Sequence, residues 1–184
     1  ATASINISII NIAGTATGVM DMGTATAAAP KRRTARRLGM VHPDMIDIHT
    51  HILPGMDDGA RDVKTSLTLL RMEAAQGVDT VVLTPHFYRD REEPAHFLAR
   101  REKAARALAD AVLALPEGER KALPRLVLGA EVAWVPNLAD CRELPELCLG
   151  ASRYFLLELP FCPWTDQLVS QLYELPGRTG LTPV

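Results

Sequence analysis

Two histidines one residue apart, His49 and His51, close the apolar run in "MIDIHTHILPGMDDGA" (residues 45–60) and are followed by Asp57, Asp58 and a glycine. The chain has only five histidines in 184 residues, so a pair at this spacing needs a reason. A β-strand sends alternate side chains to one face, and in "IDIHTH" Asp47, His49 and His51 then point one way while Ile46 and Ile48 point the other. That geometry brings two imidazoles onto one ion. Taken singly, a strand histidine is an ordinary hydrogen-bonded residue and Asp-Asp-Gly an ordinary turn. Taken together, they require further nitrogen and oxygen ligands at other strand ends.

The downstream sequence supplies elements that would carry them. "DVKTSLTLLRMEAAQG" sets Val63, Leu67, Leu70 and Ala74 at helical spacing and ends at Gly77, where a helix C-terminal glycine is expected. "VDTVVLTPHF" is a valine-rich strand ending at Pro85 and His86. A long helix is expected from about Pro94 to Leu115, stopping before Pro116. "RLVLGAEVAW" reads as a third strand, "NLADCRELPELCL" as a broken helical connection, and "RYFLLELPF" as a fourth strand. "TDQLVSQLYEL" is a helix and "GLTPV" opens a fifth strand. Strands alternating with helices predict a parallel sheet covered on both faces, as a barrel or a doubly wound sheet. In either, functional side chains collect at the carboxyl ends of the strands. His49 and His51 end the first strand and His86 the second, while Glu131 comes late in the third and Glu158 late in the fourth.

Composition narrows the partners. The 184 residues are 47% hydrophobic and 23% charged, the profile of one globular domain with a sizeable core, and a net charge of -2 gives no basic surface for nucleic acid. Cys141, Cys148 and Cys162 are odd in number and outside any CxxC spacing, so they read as reduced thiols of a cytoplasmic protein. Residues 1–44 differ in texture: rich in Ala, Thr and Gly, with the basic cluster Lys31, Arg32, Arg33, Arg36 and Arg37. These basic residues follow the apolar run rather than precede it, unlike a secretory signal, and no stretch approaches the ~20 apolar residues of a membrane span. The segment is expected to be a disordered or non-native extension, leaving 45–184 as the domain. His42 and His96 are expected to be exposed, and the arginine-rich face near Arg100 and Arg101 to be a solvated helix surface.

Histidine with carboxylates and without cysteine is a ligand set for Mn, Fe, Zn or Mg. A carboxylate reaching two ions gives the arrangement that activates water and stabilises the leaving oxygen in phosphate ester hydrolysis. No nucleotide-binding GxxxxGK[ST], no GxGxxG and no GxSxG elbow is present. "DCRELPEL" has no glycines to form a cysteine phosphate loop, so Cys141 reads as a packing residue.

"MIDIHTHILPGMDDGARD", "VVLTPHF", "LVLGAEV" and "YFLLELPF", in this order over residues 45–184, resemble the successive motifs of the PHP (polymerase and histidinol phosphatase) superfamily. The resemblance is to its CpsB/CapC type, the metal-dependent tyrosine-protein phosphatases of bacterial capsule and exopolysaccharide operons. It implies an α/β fold, a distorted (β/α)7 TIM-like barrel with two to three metal ions, most often Mn2+, at the strand ends. The substrate implied is a phosphorylated bacterial tyrosine kinase, with no nucleic acid, no membrane insertion and room for a homo-oligomer. His49 and His51 match the pair on the first ion, Glu131 the carboxylate bridging two ions, and His86 with Asp57 or Asp58 the ligands of the third. Spacing leaves both aspartates open, and Glu158 is open between a ligand and a supporting role. Members of the family continue past "LTPV" into a further histidine motif, a phosphate-binding arginine and a terminal Asp and His, so the chain is expected to be C-terminally truncated. The alternatives are another PHP phosphoesterase, of the histidinol phosphatase or nuclease type, and a non-catalytic kinase-binding remnant.

Overall fold

The computed structural model describes residues 9–10 and 44–184. His42 and the expectation of a disordered or non-native extension fall outside the described residues, apart from a two-residue strand. The strands are β1 (Ile9–Ile10), β2 (Met45–Thr50), β3 (Val78–Leu83), β4 (His86–Phe87), β5 (Arg125–Leu128), β6 (Glu131–Ala133), β7 (Tyr154–Glu158) and β8 (Thr182–Pro183). The helices are α1 (Val63–Gln76), α2 (Pro94–Leu113), α3 (Glu117–Arg120) and α4 (Asp166–Thr179). One sheet runs β1-β5-β3-β2 and the other β4-β6-β7-β8, and every pairing is parallel except that of β1 with β5. The molecule is thus a mixed α/β fold with parallel sheets.

Helix boundaries follow local chemistry. Asp62 caps α1 by accepting from the Thr65 amide at 2.7 Å, and Gly77 ends it in the left-handed region at φ 87°, where a glycine has no steric penalty. Proline opens α2, whose buried residues Pro94, Phe97, Arg101, Ala105, Leu108 and Val112 recur at three- and four-residue steps, a single stripe facing the core. Phe97 meets Phe87 with ring centroids 4.8 Å apart, joining α2 to the strand that carries His86.

Several expectations need correction. The second and third strands are each broken in two, at Thr84–Pro85 and at Gly129–Ala130, so each passes from one sheet into the other. Proline has no amide to give a ladder, which explains the first break. The Gly129 amide bonds to the Leu83 carbonyl (2.9 Å), and its own carbonyl accepts from Arg101 at the second break. Helix α2 ends at Leu113 and is followed by the short α3, while α4 runs on through Pro176 to Thr179. The sheet is not covered on both faces among the described residues: Ile46 and Ile48 are 54% and 45% exposed. Arg101 is no solvated surface residue. It is 9% exposed and donates to the carbonyls of Gly129 and Glu146, both at 2.9 Å. Burial pushes its guanidinium down to about 10, still charged at neutral pH.

Candidate metal centre

The strand that carries His49 and leads into His51 is anchored through the residue between them. Buried Thr50 donates from its hydroxyl to the Val82 carbonyl (2.8 Å) and from its amide to Thr84 Oγ1 (2.9 Å). The Thr84 hydroxyl and amide in turn donate to the Thr50 carbonyl, at 3.1 and 2.9 Å. Between Asp47 and Thr50 the register with β3 shifts by one residue, so strict alternation does not extend back to Asp47. Asp47 instead acts on Glu73 of α1, whose carboxyl is pushed up by burial and then by the Asp47 charge.

After His51 the chain loops out and returns. The Ala60 amide donates to the His51 carbonyl at 2.9 Å, and the Gly55 amide to the Ala60 carbonyl at 2.7 Å. Gly59 passes so close that a Cβ there would lie 2.2 Å from the His51 carbonyl oxygen and 2.3 Å from its Cβ. The glycine of the Asp-Asp-Gly turn is therefore required by contact with the histidine strand.

This return separates the two aspartates. The side chain of Asp57 is only 7% exposed, and its carboxylate accepts from His51 Nδ1 (2.8 Å), the His86 amide (3.0 Å) and the Gly59 amide (3.0 Å). Burial pushes its carboxyl up, but these hydrogen bonds outweigh that and hold it below the usual value. The side chain of Asp58 is 87% exposed, with Oδ1 3.9 Å from His86 Nε2. Asp57 is thus engaged with His51, while the Asp58 carboxylate is open to solvent.

The strand register brings the remaining groups together. His86 pairs with Glu131, and Ala133 with Glu158, so the two glutamates, from neighbouring strands, fall on one face. His49 Nε2, His51 Nε2 and Glu131 Oε2 are 3.1 to 3.3 Å apart. Donors sharing one ion through bonds of about 2.1 Å stand about 3.0 to 3.4 Å from one another, so this triangle fits a metal. His86 Nδ1 lies 3.0 Å from Glu131 Oε2 and 3.6 Å from Glu158 Oε2. None of these three buried atoms has a partner with hydrogen-bond geometry among the described residues. Buried polar atoms left in this way are costly, and a cation shared between them removes the cost.

Among the described residues, three groups have ligand atoms close enough for one ion: His49, His51 and Glu131; His51, Asp58 and His86; and His86, Glu131 and Glu158. His51, His86 and Glu131 each belong to two of them, and Glu131 is the carboxylate among the three. Glu158, which sequence left open, joins Glu131 and His86, and its place at the end of a fourth successive strand was the available signal. Thr50, Thr84 and Tyr88 have no such signal. The Tyr88 ring stacks on His86 at 5.3 Å, and burial, then the charges of Glu158 and Glu131, push its phenol up. His96 is exposed, and Cys141 and Cys148 are buried.

The parallel strands of this α/β fold thus gather histidines and carboxylates that could hold metal ions. Residues 45–184 match the family described as "Capsular polysaccharide synthesis, CpsB/CapC", and the chain belongs to that family. It is 37% identical over 144 residues to "Tyrosine-protein phosphatase YwqE" of Bacillus subtilis (strain 168), covering 76% of this chain and 52% of that protein. It is 33% identical over 147 residues to "Tyrosine-protein phosphatase CpsB" of Streptococcus pneumoniae, covering 76% of this chain and 55% of that protein. A solved structure described as "Crystal structures of YwqE from Bacillus subtilis and CpsB from Streptococcus pneumoniae, unique metal-dependent tyrosine phosphatases" superposes with a TM-score of 0.60 at 29% identity, over 76% of this chain and 53% of that one. The chain spans about half the length of the curated relatives it matches.

Proposed function

We propose that this chain supplies the metal centre of a metal-dependent protein-tyrosine phosphatase acting in capsular or exopolysaccharide biosynthesis. The observation that carries this reading is the convergence of His49, His51, His86, Glu131 and Glu158 with buried donor atoms that find no hydrogen-bond partner. Family membership and the phosphatase names of its relatives support it. In this reading His49, His51, Asp58, His86, Glu131 and Glu158 hold two to three ions, Mn2+ first among the candidates, and Asp57 positions His51. The strands form part of a distorted (β/α)7 barrel, with residues 45–184 as the domain. The substrate is a phosphorylated bacterial tyrosine kinase, and the compartment is the cytoplasm. No helix among the described residues is long and apolar enough to cross a membrane.

Metal ions bound here supply an activated water and positive charge against the phosphoryl oxygens. The chain's own residues prepare the site. Asp57 accepts the Nδ1 proton of His51, which leaves the Nε2 lone pair facing Glu131 and His49. Glu131 brings one carboxylate to both groups. Burial pushes the Cys141 and Cys148 thiols up and keeps them protonated, which disfavours either as nucleophile.

Turnover of a phosphotyrosine peptide, histidinol phosphate and a single-stranded oligonucleotide by the manganese-loaded protein tests the proposal. The phosphopeptide should be preferred, with activity abolished by EDTA and retained in Cys141→Ser. Activity that survives EDTA, or that disappears in Cys141→Ser with metal content unchanged, overturns it.

A further inference from the structure

Beside the metal centre lies an open cleft of about 320 Å³, reached by His86, Asp58, Tyr88, Arg91, Glu92 and Arg100. Most of its charges are already engaged. Arg100 donates to both oxygens of Glu92, at 2.7 and 2.8 Å, and Asp57 is held by His51. Arg91 differs: its guanidinium makes no ion pair among the described residues and lies 4.5 Å from the centre of the Tyr88 ring, which itself stacks on His86. An aromatic face attracts a guanidinium and limits its freedom while leaving its N–H donors, which lie in the guanidinium plane, unspent. The cleft therefore sets a braced cation, with donors to spare, two ring contacts from a candidate metal ligand.

Resting on the phosphatase reading above, we propose that Arg91 is a substrate-binding residue that contacts a phosphoryl oxygen of the substrate, and that Tyr88 is the positioning residue that holds it. A phosphate monoester is a dianion whose oxygens cannot all face the metal centre. An arginine fork suits the remainder because it offers two parallel donors to one tetrahedral group. Arg100 already spends its charge and two of its donors on Glu92.

Calorimetric titration of inorganic phosphate into the manganese-loaded chain, with metal content measured in parallel, tests the assignment without requiring turnover. Arg91→Gln should weaken phosphate binding about tenfold, the loss of one charge-assisted contact, and Arg91→Lys should lose less. Tyr88→Ala should weaken it about threefold and Tyr88→Phe should match wild type, all at unchanged manganese stoichiometry. Phosphate binding by Arg91→Gln as tight as wild type, at equal metal content, overturns the inference and leaves the phosphatase reading standing. So does an effect of Arg91→Gln confined to acidic phosphopeptides. A wild-type chain that takes up no manganese overturns the phosphatase reading, and this inference with it.

Discussion

His51 Nδ1 lies 2.8 Å from Asp57 Oδ2, and the same oxygen accepts the His86 amide at 3.0 Å. One buried carboxylate oxygen therefore fixes the ring of one candidate ligand and the backbone of another. Its neighbour Asp58 stays in solvent. The two aspartates should then fail differently when mutated. Asp57→Asn should weaken metal affinity about 10- to 100-fold, the usual cost of losing a carboxylate that orients a ligating histidine, and should also lower thermal stability. Asp58→Asn should weaken metal binding with little change in the melting temperature of the metal-free chain. Metal titration together with thermal melts of both variants separates the roles. A large loss of metal-free stability in Asp58→Asn alone would reverse them.

Gly59→Ala forces a methyl group to within 2.2 Å of the His51 carbonyl oxygen. Backbone must move to admit it, since the colliding atoms are not the end of a flexible side chain. Overpacking of this kind costs about 1 to 3 kcal/mol. The displaced element is the end of β2, so metal uptake should fall along with stability. Denaturant unfolding of the metal-free variant and metal stoichiometry check both parts.

Glu131→Gln should lose more metal than Glu158→Gln. Glu131 belongs to two of the three candidate groups and Glu158 to one, so removing the first charge disturbs two positions at once. Elemental analysis of the purified variants gives the comparison directly. Equal losses would move the bridging role away from β6.

The Glu92 carboxyl is held below its ordinary 4.5, first by the hydrogen bond from Arg100, with burial opposing. A carboxyl depressed in the folded state contributes stability that is complete above its unfolded value and is lost as pH falls through the folded one. The stability gap between wild type and Glu92→Gln should therefore be widest above pH 4.5 and close below it. Its size should be about 1 kcal/mol, because Arg100 is 38% exposed and solvent screens the pair. Melting temperatures of the two proteins across an acid series provide the check.

Arg101→Met removes two hydrogen bonds to carbonyls, those of Gly129 and Glu146, from a buried position. Both acceptors are left near the break between β5 and β6, just ahead of Glu131. Bonds to a charged donor contribute about 1.5 to 3 kcal/mol each, and a loss of at least that size is expected by chemical denaturation. A shift of less than a few tenths would mean that water takes the place of the guanidinium.

The amino-acid sequence by itself determined the residue types and their order along the chain. The histidine pair, the helix bounded by Asp62 and Gly77, and the spacing of His86, Glu131 and Glu158 are local patterns; Glu158 does end β7, whereas His86 and Glu131 open β4 and β6 after the two strand breaks, which no local pattern records. Which of Asp57 and Asp58 is free to ligate was not legible, because both occupy the same turn and only the return of that loop onto β2 buries one of them. Arg101 was misread for a related reason. Its helix position marks a face, but what lies against that face is set by chain 28 and 45 residues away, at Gly129 and Glu146. Tyr88 and Arg91 carry no motif at all. Tertiary structure decided their place, by folding the segment after β4 alongside His86 so that an aromatic ring and a guanidinium with no ion pair among the described residues border the same cleft as the candidate ligands.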